Sequence, residues 1–194
     1  MFRNYGNNIK RILKHLNPTL QIDQDSLEVL NKILVNTHSA IINNKNFPNI
    51  LKVVDELFSN NNCEMKKEIK EYIERVIHKN ERVNFVFDKI KFNEDKSVSL
   101  LIATIIEYVA VDILEISGII TREHSKVRIT NEYLKKALTR DKGLKIFLKN
   151  NKLFDSKDFG NLHRVRRVSK SKSKKRATKS KKVKKSVGKM NLQY

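Results

Sequence analysis

A chain of 194 residues with 41 Lys and Arg against 21 Asp and Glu carries a formal charge of +20 and is long enough for one or two small domains with real cores. Five Gly and two Pro are too few for an all-β protein built on tight turns, and one cysteine, Cys63, excludes an internal disulfide framework and a cysteine-based zinc site. The charge is uneven: residues 161–194 hold 14 basic residues and no acid, leaving residues 1–160 mildly basic, with 27 basic against 21 acidic residues.

The apolar positions Ile9, Ile12, Leu13 and Leu16 predict a helix over 5–16, with Lys10, Arg11 and Lys14 off the apolar stripe. Asn17-Pro18 ends it, because the residue before proline avoids the α region. After a loop over 19–24, Asp25 and Glu28 form a capping box for a second helix with Leu27, Leu30, Ile33, Leu34 and Ile41 on its buried stripe. Asn43–Asn46 breaks it, and Pro48 suits the first turn of the next helix, which carries Ile50, Leu51, Val54, Leu57 and Phe58. Asn61 with Glu64 caps a helix running to about His78.

Residues 81–92 read as helix, although Val83, Phe85 and Phe87 alternate as a strand would, and 93–97 is a polar loop. A long helix spans about 99–122. It is long enough to cross a bilayer, but Glu107, Asp112 and Glu115 interrupt it, so a buried helix with one acidic stripe is the better account. After a loop around 125–128, Thr130 caps a short helix with Tyr133, Leu134, Ala137 and Leu138. Leu144, Phe147 and Leu148 give a last turn or two, order fades from about Lys149, and 164–189 is expected to be disordered on composition.

The pattern is all-α: short helix, loop, long helix, loop, short helix, twice over. Neither half covers its own apolar stripe, so the two pack on each other. The N-terminus lacks the apolar run of a secretory signal. Catalysis finds little support: His15, His38, His78, His124 and His163 show no metal-ligand spacing, Cys63 has no evident partner, and there is no Gly-rich phosphate loop. The chain reads as a non-enzyme with no cofactor, no metal and no small-molecule substrate.

Tyr5–Ile22, YGNNIKRILKHLNPTLQI, resembles the first helix and loop of histone 2B. Residues 98–148, with the segments IEYV, DILEISG, VRI and ALTRD, resemble histone 2A closely. A 2B-like half fused before a 2A-like half resembles the histone doublets of large DNA viruses. That resemblance implies two histone folds in one chain, over 1–80 and 81–160, forming an intramolecular handshake pair, with a basic tail over 161–194. Asn43–Asn62 is longer than the family's pattern and contains Pro48, so the long helix of the first half should be broken or kinked.

By the same resemblance Arg128 matches a loop arginine that enters the minor groove of wrapped DNA, where negative potential favours a weakly hydrated guanidinium. Lys126 and Thr130 stand beside it for the adjacent phosphates, and Lys10, Arg11 and Lys14 form a basic face on the first helix. Glu107, Asp112, Glu115 and Asp141 match an acidic patch that would dock arginine anchors; Lys142 and Gly143 stand where the family carries further acids. The implied function is structural packaging of double-stranded DNA in a nucleosome-like particle, in a nucleus or viral factory and carried in the virion. The implied partner is a doublet like histones 4 and 3, or separate chains like them. Two other readings stay open: a histone-fold transcription subunit, and a basic nucleic-acid binder acting without sequence preference.

Overall fold

The computed structural model describes residues 4–58, 63–79, 82–83 and 95–155, and among these described residues the chain is all-α apart from one short parallel strand pair. The first helix, α1 (Gly6–Leu16), buries Ile9, Ile12 and Leu13. Its start is held from outside: the Tyr5 N–H donates to Asn31 Oδ1 at 2.6 Å, and the Tyr5 hydroxyl shares a buried hydrogen bond with His38 Nδ1. Both partners lie on α2 (Gln24–Ile42), so α1 is fastened to α2 at its first turn. Between them lies β1 (Gln21–Ile22).

The capping residue of α2 is Asp23, not Asp25. Asp23 is extended and accepts from the Ser26 N–H at 2.7 Å, which places Asp25 inside the first turn. The reason is tertiary: the Asp23 N–H donates to the Ile129 carbonyl at 3.0 Å, holding residue 23 outside the helix. The break after Ile42 is complete rather than a kink, and Pro48 stands before the next helix, α3 (Ile50–Leu57). Asn49 supplies that helix's cap by accepting from the Lys52 N–H at 3.2 Å. Then comes α4 (Cys63–His78). Lys66 and Lys70 both reach Asp55, at 2.8 and 2.7 Å, tying α4 to α3. Those two ammonium groups hold the Asp55 carboxyl below the usual carboxylate range. The Asn61 cap and the helix expected over 81–92 lie outside the described residues, apart from Arg82 and Val83.

The longest helix, α5 (Lys96–Glu123), begins three residues before its expected start, because Asp95 accepts from the Ser97 and Val98 N–H groups at 2.8 and 3.3 Å. It is long and apolar enough to cross a membrane. Here α1, α2, α3 and α4 all pack on it, as does the later helix over Asn131–Arg140. Three of its buried hydroxyls are satisfied within the helix: Thr104, Ser117 and Thr121 each donate to the carbonyl four residues back, at 2.7–2.9 Å. That device lets a helix be covered on most sides without orphaned polar groups.

After α5 come β2 (Arg128–Ile129), α6 (Asn131–Arg140) and α7 (Lys142–Asn150). Packing does not fade at Lys149. Asn151 Nδ2 donates to the Leu57 carbonyl at 2.9 Å, Leu153 is buried, and the Leu153 carbonyl accepts from Asn36 at 2.9 Å. Phe58 and Phe147 stack at 4.5 Å in the same region. All described residues fall in one compact unit that ends at Asp155.

The two strands set the register of the whole. β1 and β2 run parallel, pairing Gln21 with Arg128 and Ile22 with Ile129. α2 therefore starts where α5 ends, and the two helices pack side by side. Ser26 at the start of α2 donates to Asn131 at the start of α6, at 3.2 Å.

Candidate nucleic-acid interface

The strand pair brings together residues that lie more than a hundred positions apart. Lys10, Arg11 and Lys14 are exposed on α1, on the side that its buried Ile9, Ile12 and Leu13 leave to solvent. Lys10, Leu13, Lys14, Pro18, Leu20 and Gln21 line a groove of about 330 Å³ between α1 and β1. Gln21 is also the partner of Arg128: it accepts from Arg128 Nη2 at 3.1 Å. The lysines of α1 and the arginine of β2 thus share one neighbour. Lys126 is exposed just before β2, and its N–H is held by the Thr121 carbonyl at 3.0 Å. Among the described residues none of these five cations is paired with a carboxylate, so their charge faces solvent uncompensated.

Thr130 occupies the cap position of α6 without a side-chain capping bond. It is half-buried beside Arg128 and Ile129, and its hydroxyl is not committed to the first turn of α6. Arg11 stays on the exposed ridge of α1 and does not line the groove.

The fold separates one of the four acids expected in a docking patch from the other three. Glu107 does not belong to an exposed patch: it is 2% exposed, accepts from the Tyr72 hydroxyl at 3.2 Å, and faces a recess of about 290 Å³ shared with Ile12, His15 and Arg75. Asp112, Glu115 and Asp141 do come together, and Glu68 of α4 joins them. Burial pushes the Asp112 carboxyl up from 3.8 to about 7, helped by the charges of Asp141, Glu68 and Glu115. The Tyr108 hydroxyl donates to Glu68 at 2.7 Å, and burial, with that carboxylate, holds the phenol in its protonated form. Asp141 has a second task as the cap of α7, accepting from the Leu144 N–H at 2.6 Å. Of the four acids, only Glu115 is exposed, Asp112 and Asp141 being half-buried.

Sequence reasoning missed Asn17, Gln21, Glu68 and Arg122. Arg122 is exposed in the last turn of α5 and donates to Asn17 Oδ1. Glu68 offered a faint signal as an acid on the polar face of α4. The amides offered none, since their partners are fixed only by the pairing of β1 with β2. Compared with protein-family models and with curated proteins, the sequence has no significant match.

Proposed function

We propose that this chain is a structural DNA-packaging protein in which two histone-fold halves form a handshake within one polypeptide. The observation that carries the reading is the parallel pairing of Gln21–Ile22 with Arg128–Ile129. Through it, the loop before the long helix of the N-terminal half meets the loop after the long helix of the C-terminal half. Lys10, Lys14, Lys126 and Arg128 become one basic surface carried by rigid elements. A duplex would be held there through backbone phosphates, with Arg128 in the minor groove and no base-specific readout. The resemblance to histones 2B and 2A supports the same reading, and with it assembly with chains like histones 3 and 4. Docking of an arginine-anchored partner would fall to Asp112, Glu115, Asp141 and Glu68 rather than to Glu107.

Salt titration of duplex binding by the full chain tests this. Each neutralised phosphate contributes about −0.9 to the slope of log K against log salt. Replacing Lys10, Lys14 and Lys126 by Ala should flatten the slope by roughly two to three units. Replacing Lys142, Lys145 and Lys149 of α7, an equal loss of charge, should leave it nearly unchanged. Equal flattening by both triple variants would instead favour a binder driven by net charge and the basic C-terminal residues.

A further inference from the structure

Two arginines stand where the loops cross, and both are held by amides. Arg122 at the end of α5 donates to Asn17 Oδ1, and Arg128 in β2 donates to Gln21 Oε1 at 3.1 Å. In each case a residue following α1 holds an arginine more than a hundred positions later in the chain. Each guanidinium is exposed, and among the described residues neither meets a carboxylate. Arg140 shows the alternative: both Glu123 oxygens grip it, at 2.8 and 3.0 Å, so its charge is cancelled locally.

The chemistry of the partner matters. An amide oxygen fixes the direction of a guanidinium but carries no charge, and a guanidinium has five N–H donors. One is spent on the amide and the rest remain in a fixed plane for an oxyanion, with the full positive charge. The amides are themselves held. Asn17 is buried, and its Nδ2 lies so close to Gly118 that a Cβ there would approach it to 3.1 Å. Gln21 is fixed by its own backbone, donating to the Val127 carbonyl at 2.8 Å and in register with Arg128.

We infer that Arg122 is a phosphate-binding arginine beside the minor-groove Arg128, and that Asn17 and Gln21 are positioning residues that aim the two guanidiniums without neutralising them. The ligand class is the phosphodiester backbone of a nucleic acid. The inference rests on the DNA-binding reading above and adds to it a residue and a mechanism of pre-orientation. A side chain at residue 118 would crowd Asn17 and Leu20.

Replacing each amide by its isosteric acid separates aiming from charge. Asn17→Asp with Gln21→Glu keeps both acceptors and turns both contacts into ion pairs. In the full chain this double variant should bind duplex about tenfold or more weakly at 0.1 M salt and lose roughly two units of salt slope. Its thermal midpoint should not fall. A control with the same change of net charge, Thr139→Glu with Asn150→Asp on exposed positions of α6 and α7, should change affinity less than about threefold and keep the slope. Gln21→Glu alone, at an exposed residue where folding is not at stake, should lose about one unit of slope. If the amide-to-acid variants bind like the parent, or no worse than the control, the amides are only staples between loops and the inference fails while the DNA reading stands. If the parent itself does not bind duplex, both fail.

Discussion

Phe58 and Phe147 stack at 4.5 Å with their planes 12° apart, both fully buried, and join the end of α3 to α7. Phe147→Ala removes that contact and leaves a cavity among buried side chains. It should cost about 3–5 kcal/mol, read as a lowered denaturant midpoint with an unchanged m-value. Asp112 gives a pH signature of definite sign. Its folded-state value, raised to about 7 from 3.8, means the folded protein binds a proton that the unfolded chain has released. Stability from this group is therefore greatest at low pH and is lost as pH rises through the window from about 4 to about 7. Asp112→Asn should remove that decline and raise stability at pH 8 by about 1–3 kcal/mol, measured by chemical denaturation across pH. Glu107 shows what spacing alone could reveal. It lies five residues before Asp112, about 140° round the helix, so the two acids face different ways, whereas Asp112 and Glu115 share a surface.

The stripes of α1, α2 and α5 were legible because a 3.6-residue period is local: Ile9, Ile12, Leu30, Ile33 and Ile41 are buried as their spacing dictates. Helix starts were legible only to within two or three residues. Asp23 caps α2 because Ile129 holds its backbone, a fact absent from the local sequence. The strand pair was illegible altogether, since two residues show no periodicity and the partner lies far along the chain. That pair also dictates Gly118. A Cβ there would meet Asn17 Nδ2 at 3.1 Å and Leu20 Cδ1 at 3.2 Å. Gly118→Val should therefore push the loop off α5 at a cost of about 1–3 kcal/mol, seen as a lower thermal midpoint together with weaker duplex binding. Elements from the two ends of the chain complete each other: Asn36 with Leu153, Leu57 with Asn151, and Ser26 with Asn131. Residues 1–80 or 81–160 expressed alone should expose apolar faces and aggregate, and co-expression should restore a soluble helical complex. Two fragments that each fold as soluble monomers would contradict the paired arrangement.

At the scale of the molecule, charge divides into two kinds. Lys10, Lys14, Arg122 and Arg128 sit on helices and a strand, with Lys126 in the short loop before β2, whereas the 14 basic residues of 161–194 lie in a serine-containing stretch without an acid. Truncation after Asp155 should flatten the salt dependence of duplex binding by several units, while Arg128→Ala should change it by roughly one unit or less. On the proposed packaging reading, duplex would follow a bent path against the folded surface, and Arg128 would act only where it does so. The most direct test is nuclease digestion of duplex DNA assembled with the full chain and with chains like histones 3 and 4. Fragments of one defined length are expected, a length kept after truncation at Asp155, with cleavage increased locally by Arg128→Ala. A smear of lengths from the full chain, or protection that vanishes on truncation and ignores Arg128→Ala, would contradict wrapping by the folded body.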